Sequence, residues 1–182
     1  MSNSYPWEHT LSSLTKDLLI DNLSSVFIET GTNTGFGVNT AINSGFKSIY
    51  SIDIEEKFID AANKNFNTEK YPDVKFNFLL GDSGEIFKNL LPTINEKITF
   101  WLDGHSFHQI PLLNELTAIK NHHIKEHILI IDDVRMFDTS EWDNIGSENV
   151  FNLVMEINKN YKISYHDSVN GKNDILIAKV VI

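Results

Sequence analysis

The stretch from Val26 to Asp53 constrains the fold of this chain more than any other. Val26, Phe27 and Ile28 are apolar and β-prone, as a buried parallel strand requires. That strand runs out at Glu29, and Gly31, Gly35 and Gly37 follow. Small residues there let the backbone turn sharply and let a ligand approach the main chain. A second apolar strand, 48–52, ends in Asp53. A glycine loop after one strand, with an acid about 20 residues further on, is the layout of a nucleotide site, in which the acid accepts hydrogen bonds from ribose hydroxyls.

The rest of the chain supplies strands and helices around that unit. Leu11, Leu14, Leu18 and Leu19 recur at helical spacing and predict a helix over 8–23, behind an aromatic anchor of Tyr5, Pro6 and Trp7. Further helices are expected over 35–44, closed by Gly45, and over 55–66, with Phe58, Ile59, Ala62 and Phe66 on one face. A strand starts at Val74, and Ser83 is placed to cap the helix that Pro92 stops. Strand 98–102 ends in Asp103-Gly104-His105. The next helix, from Pro111, turns Leu112, Leu113, Leu116 and Ile119 inward. His122 and His123 fall at its end, where charge–dipole complementarity accounts for them. Strand 127–131 ends in Asp132-Asp133, a polar stretch covers 138–148, and a helix follows over 149–159. Asn170-Gly171 separates two last strands, 161–165 and 175–181, as a hairpin signal.

This order predicts an α/β fold: a doubly wound, mostly parallel seven-stranded sheet with a C-terminal antiparallel hairpin. It divides into an N-terminal helical segment, 1–24, and one domain, 25–182. Ligands of such sheets bind beyond the C-terminal strand ends. Acids mark those ends here, at Glu29, Asp53, Asp82, Asp103 and Asp132.

Composition narrows the function. The net charge of −10 repels a phosphate backbone and argues against nucleic acid as a partner. No apolar run approaches the ~18 residues of a membrane span, and Met1-Ser-Asn-Ser lacks the order of an export signal. The chain has no cysteine, which excludes disulfides and thiolate zinc sites and fits a cytoplasmic location.

The segment Glu29-Thr30-Gly31-Thr32-Asn33-Thr34-Gly35-Phe36-Gly37 resembles the E-x-G-x-x-x-G-x-G first motif of the class I S-adenosylmethionine-dependent methyltransferases. The resemblance implies that Glu29, Gly31, Thr32 and Gly35 surround the methionine portion of the methyl donor. It implies that Asp53 holds both ribose hydroxyls, that Ile54 packs on the adenine, and that Asp82 and Ser83 border the ring. Trp101-Leu102-Asp103-Gly104-His105 and Ile130-Ile131-Asp132-Asp133-Val134 are similar to segments of the metal-assisted O-methyltransferases of the catechol and macrocin types. In those, Asp103, Asp132 and Asp133 would be ligands of a divalent cation such as Mg²⁺, with Asp103 also catalytic. Such enzymes carry a lysine as general base where this chain has Ser106, which leaves His105 and His108 as candidates. Arg135 is expected either to bind an anionic or sugar substrate or to pair with neighbouring acids.

The implied function is methyl transfer to a hydroxyl of a small molecule or sugar, with homodimerisation left open. Two alternatives stand beside it: a methyltransferase-fold binding domain without turnover, and a nucleotide enzyme of the NAD type. The glycine spacing argues against the second.

Overall fold

The computed structural model describes residues 12–105, 110–142 and 145–181. Seven strands form one sheet: β1 (Val26–Thr30), β2 (Ser48–Asp53), β3 (Lys75–Leu80), β4 (Ile98–Leu102), β5 (Ile128–Ile131), β6 (Tyr161–His166) and β7 (Ile175–Val180). Their order is β3-β2-β1-β4-β5-β7-β6. The first five run parallel, and β7 joins antiparallel to both β5 and β6. The order reverses between β1 and β4, which makes their C-terminal ends the switch point where open α/β sheets bind ligands.

The central strands alternate strictly between two cores. Val26 and Ile28 of β1, Phe100 and Leu102 of β4 and Leu129 and Ile131 of β5 enter one core. Helices α4 (Ser83–Leu90), α5 (Leu112–Asn121) and α6 (Ser147–Ile157) close that side with Phe87, Leu116 and Val154. Phe27, Trp101 and Ile130 point the other way, under α1 (Lys16–Ile20), α2 (Phe36–Ser44) and α3 (Glu56–Asn65). Strands apolar on both faces are what a sheet covered by helices on both sides demands.

Several local expectations are corrected. The first described helix is short because Thr15 caps it, accepting the Leu18 N–H at 3.2 Å. Residues 1–11, with Tyr5, Pro6, Trp7 and Leu11, lie outside the described residues. Asp82, not Ser83, caps α4: its carboxylate accepts the Glu85 N–H at 3.0 Å. The final hairpin turns through 167–174, and Asn170-Gly171 forms only the tip of that loop. Among the described residues no helix is long and apolar enough to cross a membrane.

His122 needs no dipole argument. It is buried at the end of α5, its Nδ1 2.7 Å from Nε2 of the fully buried His127 and its Nε2 3.0 Å from the Ile94 carbonyl. His127 Nδ1 accepts the Ile98 N–H at 3.1 Å, so the neutral ring must carry its hydrogen on Nε2. A second proton would break the Ile98 bond inside the core. Burial and the neighbouring His122 accordingly depress His127 to about 3.

Unfolded His127 protonates near 6.5 while the folded form resists down to about 3, so the stability it contributes is lost as pH falls through that window. Comparison with His127→Asn, which keeps an acceptor for Ile98, cancels the other acids of the chain. Urea unfolding at pH 7 and pH 5 should show the wild-type advantage shrinking by about 2 kcal/mol. An advantage that does not change with pH would contradict the assignment.

Candidate functional site

At the switch point two adjoining hollows open, of about 480 Å³ and 300 Å³. Gly31, Asn33, Asp103 and His105 are common to both walls. The larger continues over Asp53, Ile54 and Phe58 to Gly81, Asp82 and Ser83. The smaller runs between Glu29, Thr32 and Gly37 on one side and Asp132, Asp133 and Arg135 on the other.

The loop after β1 builds the shared wall. Gly31 has φ +89°, and a Cβ there would lie 2.8 Å from the Asp103 carbonyl oxygen. Only glycine allows β1 and β4 to end this close together. Gly37 lies against the Glu29 carboxyl, which a Cβ would meet at 1.8 Å. Gly35 does not line either hollow. It takes φ +88° ahead of α2 and abuts the Phe66 ring, so its part is to shape the loop.

Asp53 is locked from both sides. Its Oδ2 accepts the Asn33 N–H and its Oδ1 the Glu55 N–H, each at 2.9 Å. Each carboxylate oxygen accepts more than one hydrogen bond, so both remain able to receive a hydroxyl from the cleft. Ile54 is half exposed on the cleft wall. Phe58, expected inward with Ile59 and Ala62, lines the cleft beside it instead, with Lys57 Nζ 4.7 Å from its ring centre.

Glu29 is buried, and its Oε1 accepts the Ser51 hydroxyl at 2.6 Å; Thr32 Oγ1 lies 2.6 Å from the same Ser51 oxygen. Burial pushes Glu29 up to about 8. A carboxyl so placed favours a cation beside it, because a nearby positive charge restores the ionised form.

At the other end, His105 Nε2 lies 2.8 Å from Asp133 Oδ2 and 3.7 Å from Asp103 Oδ1. Trp142 packs on the imidazole, with ring centres 5.1 Å apart. The Asp133 bond raises His105 above its ordinary value. Burial, then the charges of Asp132 and Asp133, hold Asp103 well above the carboxylate range. Burial also lifts Asp132 to about 6. His108 lies outside the described residues.

Of the two roles open to Arg135, pairing is the one observed. Its guanidinium joins Asp133 to Asp174, which is fully buried at the start of β7 and also accepts the Arg135 N–H at 2.9 Å. Asp174 escaped sequence reasoning because its partner lies 39 residues away. Glu115 was missed too. It is buried in α5 and accepts the Ser83 hydroxyl, and burial raises it to about 7. An acid between Leu112 and Leu116 on one stripe was the available signal.

Sheet order, loop and acid placement together define the fold of the class I S-adenosylmethionine-dependent methyltransferases. Solved structures agree with this. The O-methyltransferase TomG of Streptomyces achromogenes, involved in tomaymycin synthesis and solved with SAM, superimposes with a TM-score of 0.61 at 14% identity, over 92% of this chain and 78% of its own. The O-methyltransferase of Bacillus cereus, solved with SAH, gives 0.60 at 13% identity over 91% and 78%. An rRNA methylase of Streptococcus thermophilus gives 0.58 at 13% identity over 91% and 94%. No protein-family model and no curated protein matches the chain.

Proposed function

We propose that this chain is an S-adenosylmethionine-dependent methyltransferase acting on a hydroxyl of a small, polar, sugar-like molecule. The observation that carries the reading is the pair of joined hollows. The larger offers a ribose-binding carboxylate at Asp53 and apolar faces at Ile54 and Phe58, and Asp103 and His105 stand where it meets the smaller. The residues fit the donor: the Gly31 cradle leaves no room for a side chain, and buried Glu29 favours a positive group. When bound, the donor supplies a sulfonium methyl group that passes to an oxygen nucleophile as S-adenosylhomocysteine leaves.

The chain's own part is to orient that oxygen and take its proton. Asp133 accepts the His105 Nε2–H, which leaves the Nδ1 lone pair of the neutral ring for the acceptor's proton. Asp103, whose Oδ1 lies 3.7 Å from His105 Nε2, borders the same place. The smaller hollow is predominantly polar, with carboxyls at Asp132 and Asp133, the guanidinium of Arg135 and the amide of Asn170. Such walls suit a polyhydroxylated acceptor better than a flat aromatic one. Net charge of −10 weighs against an RNA acceptor, the substrate class of the Streptococcus thermophilus neighbour.

The Mg²⁺ shell implied by Asp103, Asp132 and Asp133 does not fit. Asp133 already faces the Arg135 cation through one oxygen and His105 through the other, so a metal ion there would meet a guanidinium, and Asp132 Oδ1 accepts the Asp133 N–H at 2.9 Å. Two sets of ligand atoms each converge within 4.8 Å: Asp103, His105 and Asp133, one nitrogen and two oxygens, and Asp132, Asp133 and Asp174, three oxygens of the kind Mg²⁺ takes but already bridged by the Arg135 guanidinium at Asp133 and Asp174. No step is therefore assigned to a metal. Incubation with radiolabelled donor and a panel of sugars, glycosides and RNA is the test. Transfer to a hydroxylated small molecule, lost in His105→Asn and indifferent to EDTA, is expected. Transfer to RNA alone, or transfer abolished by EDTA and restored by Mg²⁺, would contradict it. Donor binding without transfer to any acceptor would favour the binding-domain alternative.

A further inference from the structure

We propose that Glu115 is a positioning residue of the donor cleft: its buried carboxyl ties the start of α4 to the end of β1, and through Thr30 to the end of β4, and so holds these parts of the cleft wall at a fixed separation. The inference rests on the donor-site reading above. On one side, Ser83 donates its hydroxyl to Glu115 Oε1. The two helices meet closely at that point, since a Cβ on Gly84 would lie 2.7 Å from the Asn114 Cβ. On the other side, the Thr30 hydroxyl interacts with the Glu115 carboxyl and favours its charged form. Thr30 Oγ1 in turn accepts the N–H groups of Asp103 at 3.3 Å and Gly104 at 3.1 Å. Gly104 is pressed against it, so that a Cβ there would stand 2.9 Å from Thr30.

Ser83, Asp103 and Gly104 all face the donor cleft, and Glu115 lies behind them. Its stripe neighbours Leu112, Leu116 and Ile119 are buried and apolar. An acid among them costs desolvation that an apolar residue would not, and only its bonds offset that cost. Those interactions run to the end of one strand and the start of another helix, and through Thr30 to the end of β4, so their geometric effect falls on the cleft.

The test is calorimetric titration of the full chain with S-adenosylhomocysteine, alongside thermal unfolding. Glu115→Ala should bind about tenfold more weakly at a temperature where it is fully folded, because two hydroxyls lose their partner. Glu115→Gln, which keeps an acceptor oxygen, should restore affinity to within about twofold of wild type. A merely structural Glu115 would lower the unfolding temperature and leave affinity unmoved, which would overturn the proposal, as would a Gln variant as weak as Ala. If Glu115→Ala does not fold, Thr30→Val keeps the shape, removes the middle hydroxyl and should show the same order of loss; unchanged affinity there is equally fatal. Wild-type protein that binds no S-adenosylhomocysteine would instead overturn the donor-site reading on which the proposal rests.

Discussion

Asp53→Ala is expected to weaken S-adenosylhomocysteine binding by about 100-fold, the equivalent of about 2.7 kcal/mol. The carboxylate is already aimed by the Asn33 and Glu55 N–H groups, so the ligand loses no free energy in orienting it. Removing it takes away charge-assisted bonds to ribose hydroxyls, each worth about 1.5–3 kcal/mol, and frees the Asn33 end of the glycine loop. Because both of its protein bonds are exposed, folding stability should change little. Calorimetry and thermal unfolding on one preparation separate the two effects. An affinity within twofold of wild type would remove Asp53 from the site.

Gly31→Val should damage fold and site together. A β-branched residue at φ +89° costs about 1–3 kcal/mol in backbone strain alone. Its Cβ would also lie 2.8 Å from the Asp103 carbonyl oxygen, a backbone atom that cannot swing aside as a side chain would. β1 and β4 must then part at their C-terminal ends, where both hollows lie. A lower denaturation midpoint with no detectable S-adenosylhomocysteine binding is expected. A variant with wild-type midpoint and affinity would show that the close approach of the two strands is dispensable.

What the sequence disclosed and what it hid divide along physical lines. Strands β1 to β5 were legible because their apolar runs are local and each ends in a turn residue or an acid. The Glu29–Gly37 loop and Asp53 were legible for the same reason: a motif's spacing is a property of one stretch of chain. Contacts between distant stretches were not. Arg135 lies beside Asp133 in sequence and pairs with it, yet its second partner is Asp174, just ahead of the neighbouring strand β7. His122 was accounted for by its helix end, while its bonds go to His127 and Ile94. Glu115 was passed over because an acid is ordinarily solvated even when helical periodicity puts it on the apolar stripe, and nothing in α5 discloses the partners waiting for it. The pairing of Asp133 with Arg135 and His105, beside the implied trio of Asp103, Asp132 and Asp133, was hidden in the same way.

On the proposed reading, the opening loop and the strand ends would carry different parts of the chemistry. Gly31, Asp53 and Glu29 would shape a place for a nucleoside with a positive group beyond it. Asp103, His105 and Asp133 stand at the junction with a polar hollow, where an acceptor oxygen would meet the methyl carbon.

The most direct measurement is isothermal titration of the full chain with S-adenosylmethionine, S-adenosylhomocysteine and NAD in parallel. Saturable, equimolar binding of both sulfur nucleosides, with no heat from NAD, is the predicted result. Folded protein that binds neither sulfur nucleoside, or that binds NAD in preference, would contradict the account.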